Sequence, residues 1–294
     1  MMTNIARLMA TLAPKSGTFA TAIPGIRIFR ADSYRSRRPM YYWQGIMIVG
    51  QGRKRLFIED KVLEYNPQQP LVMTVPMPLE CETFASSDEP TLVMMVDIEP
   101  QQLSRVIQQL NQHYQLPFTQ ERGRQPGFFL AQSSELLSCC IERLLCALQS
   151  PLEAAVLGDG IMRELLFRIL LSENAAPLYA LASAHSRLAR IDKALQFMHR
   201  HYSDTVEVEH LAELVNMSSS AFHRCFREVT ASSPIQYLKK LRLNRARELL
   251  LQGMRVKQAA SGVGYESAAQ FSREFKRYFN QSPGSYARTA EEFQ

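Results

Sequence analysis

The stretch GVGYESAAQFSREFKRYFNQSPGSY, residues 262–286, decides the fold of the second half of this chain. Gly262 and Gly264 supply the left-handed backbone geometry of a tight turn between helices. Phe271, Phe275 and Phe279 follow at i, i+4, i+8, the spacing of a short amphipathic helix with one buried face. Ser282 and Pro283 then open a further helix, because serine suits the N-cap and proline the first helical position. A weaker copy, LVNMSSSAFHRCFREVTASSPIQY, occupies 214–237. Val208, Ala212, Val215 and Met217 match Val256, Ala260, Val263 and Tyr265 at an offset of 48. After one inserted residue, Phe222, Arg224, Phe226, Ser233, Pro234 and Tyr237 match Phe271, Arg273, Phe275, Ser282, Pro283 and Tyr286 at 49. A period of this length signals one supersecondary unit used twice. Helix, tight turn, second helix and a Ser-Pro start to a third is the pattern of a helix–turn–helix.

The phenylalanines must point inward, which leaves a second stripe on each helix free. Upstream it is Ser220, His223, Arg224 and Arg227; downstream it is Ala269, Ser272, Arg273 and Lys276, with Gln270 beside them. Small neighbours let such a helix enter the major groove of double-stranded DNA, where arginine reads guanine and alanine meets a thymine methyl. A merely solvated helix face is the bland alternative, and two copies in a basic segment argue against it. The connecting helix, 234–251, carries Lys239, Lys240, Arg242, Arg245 and Arg247. Lys239, Lys240 and Arg245 are candidates for phosphate contacts, which position without specifying. Some of these basic residues are expected in intramolecular salt bridges instead. A rigid connector suits two readers in successive major grooves, about 34 Å apart.

Charge supports this division. Residues 1–184 hold 17 basic and 17 acidic side chains, whereas 185–294 hold 17 and 11, the whole net charge of +6. The basic part is therefore the one that faces a polyanion. At 294 residues the chain has room for about two domains. No apolar run approaches the roughly 20 residues of a membrane span; in IMRELLFRILL, 161–171, Arg163, Glu164 and Arg168 intervene. Arg7 likewise interrupts the N-terminal apolar residues, so no signal peptide is expected. Five cysteines without paired spacing suit reduced thiols in the cytoplasm.

The first half reads as short strands at 26–31, 42–60, 64–75 and 91–99, which suggests an antiparallel barrel or sandwich. Helices are expected at 100–115, 133–149 and 152–172, then an Ala/Ser-rich linker at 174–186 and about seven short helices beyond it. A barrel interior suits one small molecule, and Trp43, Phe57, Met73 and Met94 are candidates to line it or to form plain core. Arg53, Lys54 and Arg55 are expected as a solvated turn rather than an anion site. None of the six histidines falls in 1–112, which argues against a metal site in the barrel. No nucleophile elbow, phosphate loop or dinucleotide fingerprint occurs, so no catalytic residue, metal or cofactor is assigned. Cys81, between Glu80 and Glu82, is expected as a packed thiol, redox or electrophile sensing being the alternative. Leu137, Ile141, Leu144 and Leu148 form a helical stripe that packs either on the barrel or on a second chain.

Residues 190–288 resemble the AraC/XylS-type DNA-binding domain. VGYESAAQFSREFKRYFNQSPGSY, 263–286, matches the signature of that family's second unit, and QYLKKLRLNRARELL, 236–250, matches its connecting helix. Gly264-Tyr265 departs from the family's usual glycine-phenylalanine pair. Residues 20–98 resemble the cupin-like sensor domain found in one branch of the family. The resemblance implies an α+β protein with a cupin-like β-barrel and helical dimerisation segment at 1–184. An all-α domain with two helix–turn–helix units follows at 185–294. It also implies a cytoplasmic, non-enzymatic transcriptional regulator, an activator, that binds promoter DNA and RNA polymerase and answers to a small-molecule effector. The family precedent makes the stripe from Leu137 to Leu148 a homodimer contact. A cupin-type enzyme fused to a DNA-binding tail is the alternative.

Overall fold

A computed structural model of the chain describes residues 3–113, 126–183 and 185–286. After α1 (Asn4–Leu12) come β1 (Gly17–Ala20), β2 (Ile26–Ala31), β3 (Arg35–Tyr42), β4 (Gly45–Gln51) and β5 (Arg53–Ile58). They are followed by β6 (Lys61–Tyr65), β7 (Leu71–Met73), β8 (Met77–Phe84) and β9 (Thr91–Asp97). The helical layer comprises α2 (Pro100–His113), α3 (Glu135–Ala147), α4 (Pro151–Leu170) and α5 (Ala176–Ala182), with β10 (Phe128–Leu130) between α2 and α3. The strands form two antiparallel sheets, ordered β1-β2-β9-β4-β7-β10 and β3-β8-β5-β6.

The inner strands of the six-stranded sheet are buried on both faces. Val49, Met73 and Val93 face the barrel interior, while Ile48, Val72 and Met94 lie in the core shared with the helices. Double burial explains why GIMIVGQ reads as an unbroken apolar run rather than an alternation. The four-stranded sheet keeps one face toward water, so β5 alternates, with Lys54, Leu56 and Ile58 buried and Arg53, Arg55 and Phe57 turned outward. Strands β1, β3 and β8 were not legible in advance. In RSRRPMYY, the sequence of β3, charge masks the pattern, and Pro39 is tolerated because β3 is an edge strand.

Two expectations for the helical layer are corrected. Leu137, Ile141, Leu144 and Leu148 are all buried by their own chain, in the core where α3 packs on α1 and α4, so the stripe is not a surface for a second copy. The stretch read as a linker contains α5, whose Leu178 is fully buried. Ser186 closes the corner that follows: its hydroxyl donates to Ala180 O at 2.5 Å and accepts from Ala189 N at 3.0 Å. Residue 184, beside the expected domain boundary, lies outside the described residues, as do 114–115 at the end of the helix expected over 100–115. The N-terminal helix α1, which buries Ala6 and Met9, was not expected at all.

The second half consists of α6 (Arg187–Arg200), α7 (Val208–Leu214), α8 (Ser219–Thr230), α9 (Pro234–Leu251), α10 (Val256–Gly262) and α11 (Ala268–Phe279), and a further helical turn runs over 283–286. Phe222, Phe226 and Tyr237 belong to the same core as the barrel interior, whereas Phe271, Phe275 and Phe279 centre a separate one. The first helical unit is thus fused to the barrel by apolar burial, and the second packs on α9 and touches β3 through α11. Among the described residues no helix is long and apolar enough to cross a membrane.

Candidate nucleic-acid interface and effector cavity

The two turns repeat bond for bond. In the first, Val215 N donates to Ala212 O at 3.3 Å and Met217 N to the same oxygen at 2.9 Å. In the second, Val263 N and Tyr265 N both donate to Ala260 O, at 3.3 and 3.0 Å. Asn216 at φ 52° and Gly264 at φ 82° occupy the matching left-handed positions. Gly262 does not share that geometry; it ends α10. A β-carbon at Gly264 would run into the Ser203 carbonyl oxygen, so this glycine serves close approach as well as conformation. Ser218 and Ser267 cap the second helices by accepting from Ala221 N and Gln270 N. Both helices end on a left-handed residue, Ala231 and Asn280, again at an offset of 49.

Aromatic pairs set the rotation of each reading helix. The tilted rings of Phe222 and Phe226 lie 5.5 Å apart and those of Phe271 and Phe275 5.4 Å apart, all of them fully buried. The opposite stripes then face water: Ser220, His223, Arg224 and Arg227 on α8, and Ala269, Gln270, Arg273 and Lys276 on α11. Ser272 is half-buried and donates to Ala268 O at 2.8 Å. Gln270 also reaches Glu274 with its side chain. Arg227 carries a partner that sequence reading missed, with Nη2 3.0 Å from Glu59 Oε1 at the tip of the β5–β6 hairpin. The barrel therefore touches the C-terminal half of the first reading helix.

The basic residues of α9 do structural work. Lys239 pairs with Glu274 of α11 at 2.7 Å. Arg242 donates to Tyr202 O at 2.6 Å, to Asp204 O at 2.7 Å and to Gly264 O at 3.5 Å, clamping the loop before α7 to the turn of the second unit. Arg245 pairs with Glu248 at 2.9 Å and stacks 5.0 Å over Trp43, and Lys240 is half-buried near Glu80 of β8. Lys240 and Arg245 thus face the barrel, which corrects the expectation that they meet phosphates; Lys239 is engaged within the helical domain.

Where α9 meets the barrel, a cavity of about 530 Å³ opens. Trp43 lines it, with Phe29, Tyr42, Lys54, Arg35, Arg38 and, from α9, Arg247 among the other walls. The other candidates are corrected. Phe57 lies on the outer face beneath the Arg37 guanidinium, 4.2 Å away; Met94 faces the helical layer; Met73 is inner core away from the cavity. Lys54, expected in a solvated turn, is instead 4% exposed and points inward. The signal was present, because Leu56 and Ile58 at i+2 and i+4 place Lys54 on the core face. Burial pushes its ammonium below the ordinary lysine value, and Arg35 and Arg38 push the same way against an opposing effect of Cys81. Cys81 is buried and accepts from Tyr42 Oη at 3.1 Å. Its flanking glutamates point the other way, Glu80 pairing with Arg37 and Glu82 lying beside Arg55.

A hydrogen-bonded triangle joins the two halves below the cavity. Tyr41 Oη lies 2.6 Å from His199 Nε2 and 2.9 Å from Tyr237 Oη, and Tyr237 donates to Pro76 O at 2.8 Å. Burial lowers the His199 pKa to about 4, so the ring sits neutral. Among the described residues no group of histidine, cysteine and carboxylate side chains is arranged to hold a metal.

Residues 22–177, more than half of the chain, match the N-terminus of AraC-type transcriptional regulators, and residues 211–289 match a helix-turn-helix domain. The chain belongs to the AraC family of transcriptional regulators. This is a family of DNA-binding regulators, not enzymes. Over 97 residues the chain is 37% identical to the HTH-type transcriptional regulator AlkR of Acinetobacter baylyi, covering 33% of this chain and 32% of that one. Over 170 residues it is 28% identical to the HTH-type transcriptional activator RhaS of Escherichia coli, covering 57% and 59%. These matches span from a third to three fifths of the relatives' own lengths. At the tertiary level the chain is similar in fold to ToxT of Vibrio cholerae. One ToxT structure, bound to (E)-4-(8-methylnaphthalen-1-yl)but-3-enoic acid, superposes with a TM-score of 0.58 at 12% identity, covering 90% of this chain and 98% of that one. A second, with unsaturated fatty acid bound, gives 0.56 at 11% identity and covers 89% and 94%. At such identities the likeness concerns the fold alone.

Proposed function

We propose that this AraC-family member is a sequence-specific activator of transcription, working in the cytoplasm on double-stranded promoter DNA. Residues 1–184 sense a small-molecule effector, and 185–294 bind DNA. The observation that carries the proposal is the bond-for-bond duplication of the two turns, each followed by a capped helix with an exposed arginine, Arg224 or Arg273, opposite a buried aromatic pair. Ser220 and His223 accompany Arg224 in base reading; Gln270, Ser272 and Ala269 accompany Arg273. Arg227 and Lys276 extend the two stripes, Arg227 only once it leaves Glu59. The Arg242 clamp supports a fixed angle between the two readers, as successive major grooves require.

The cavity between barrel and α9 is the effector site in this reading, because a ligand there touches both halves at once. The bound acids of the ToxT structures support a small-molecule effector. RNA polymerase is the further partner of an activator. The protein acts as a homodimer, and with the α3 stripe buried, Leu152 and Val156 on the outward face of α4, 74% and 70% exposed, are the supporting surface. Sedimentation of a monomer at micromolar protein would remove the dimer from this account.

The test is binding of Arg224→Ala and Arg273→Ala proteins to sites recovered by genome-wide mapping. Each substitution is expected to cost about 1–3 kcal/mol on the cognate site and little on unrelated DNA. Equal losses on every sequence would refute base reading.

A further inference from the structure

Of the cations around the cavity, Arg27 pairs with Asp97 at 2.5 Å, but three others differ from those elsewhere on the barrel. Outside it, Arg30 pairs with Asp32, Arg37 with Glu80, and Arg53 and Arg55 share Glu64. Lys54, Arg35 and Arg38, which line the cavity, form no ion pair with a carboxylate among the described residues. Instead the Lys54 ammonium lies over two aromatic rings, 4.6 Å from the centre of Phe29 and 5.9 Å from that of Tyr42. The Arg35 guanidinium lies 5.2 Å from the centre of the same Phe29 ring, and its Nη2 donates to Ser16 Oγ at 3.2 Å. Burial, and then the nearby like charge of Arg38, disfavour the charged forms of both Lys54 and Arg35, and with Lys54 almost wholly buried they raise the energy of the empty site. Lys54 has the Cys81 side chain for a hydrogen-bond partner but no carboxylate beside it, so an anion relieves the repulsion and supplies the counter-charge. Apart from Thr18, Arg27 and Arg247, the remaining walls are apolar or aromatic, with Trp43, Met40 and Met95 among them, and the volume of about 530 Å³ is that of a small-ligand pocket.

We propose that the cavity binds an organic carboxylate, its anionic end held by Lys54, Arg35 and Arg38 and its apolar body lying along Phe29, Tyr42 and Trp43. This rests on the reading of the cavity as the effector site and names the chemistry of the effector. Arg247, whose Nη1 donates to Pro39 O at a long 3.4 Å, brings α9 into the same wall. A bound acid therefore draws the connecting helix toward the barrel, which is the route from ligand to reading helices.

Trp43 is the sole tryptophan of the chain and stands in the cavity wall, so its fluorescence reports occupancy directly. The full chain is titrated with decanoate and with phenylbutyrate, each against its primary alcohol, and with inorganic phosphate. Both acids, or the one whose body fits, are expected to change Trp43 emission saturably, the matching alcohol binding about tenfold more weakly or worse, because it leaves the buried cation unpaired. Lys54→Met is expected to weaken the acid by about tenfold and to spare the alcohol. Alcohols binding as tightly as acids, phosphate alone saturating the site, or Lys54→Met binding acid like the parent protein would each overturn the proposal. Should Lys54→Met fail to fold, the acid–alcohol comparison on the parent protein decides alone. Affinity for a mapped DNA site is measured alongside. Acids that bind through Lys54 without altering DNA affinity would sink the effector reading and leave the acid site standing; neutral compounds that alter DNA affinity where no acid binds would do the reverse.

Discussion

Replacing Glu59 with glutamine is expected to strengthen DNA binding, although Glu59 belongs to the barrel. Its carboxylate holds Arg227 of the first reading helix, with Nε and Nη2 at 3.1 and 3.0 Å from Oε1. DNA must break this pair to use Arg227. The two side chains are 48% and 71% exposed, so water screens the pair and it is worth only about 0.2–1 kcal/mol. A carboxylate beside the reading helix also repels incoming phosphates, within a screening length of about 8 Å at physiological salt. Together these predict a dissociation constant lowered about 2–5-fold in Glu59→Gln. Fluorescence anisotropy on a mapped site at two salt concentrations measures it. The gain should shrink at high salt, and it should be smaller when Arg227→Ala is already present, because only the repulsion of phosphates then remains for the glutamine to relieve. An unchanged affinity, or an equal gain without Arg227, would refute the reasoning.

Arg224→Ala and Arg273→Ala should each lose about 1–3 kcal/mol on the cognate site only, as competition against unrelated DNA would show. Gly264→Ala should destabilise the second unit by at least about 1–2 kcal/mol, since alanine resists a φ of 82° and meets the Ser203 carbonyl; thermal unfolding reads this. At Ala231, already held at φ 51°, glycine should instead stabilise by about 1 kcal/mol. For pH, the His199 pKa is lowered by burial to about 4 from the ordinary 6.5, so the stability it confers is present above 6.5 and lost as pH falls toward 4, a ceiling of about 3 kcal/mol. Burial raises the Asp192 pKa to about 6, so its contribution runs the opposite way and stability falls as pH rises from about 4 to 6. Asp192→Asn should therefore raise stability at neutral pH and expose a steeper acid loss, measurable as unfolding midpoints between pH 4 and 7.

Local pattern determined much of this protein. Helical repeats at i, i+4 assigned Phe222, Phe226, Phe271 and Phe275 to the core, and with them the exposed stripes of Arg224 and Arg273, because a helix fixes which residues share a face whatever packs against it. Ser233 and Pro234 likewise start α9 where capping chemistry places them. Strand β3 was hidden because three of its first four residues are arginines and Ser36, Arg37 and Arg38 face water. Only the tertiary structure decided the partners across long separations. Leu137 to Leu148 carry an apolar stripe that suits another chain or their own, and the choice fell to α1 and α4. Lys239, Lys240 and Arg245 are all basic on one helix, yet what each meets depends on Glu274, Glu80 and Trp43, set by the docking of α9. Lys54 shows the boundary most clearly. Period-two alternation in β5 already turns it inward, but a buried cation becomes a ligand site only when no carboxylate meets it, and that depends on which strands and helices close around the barrel.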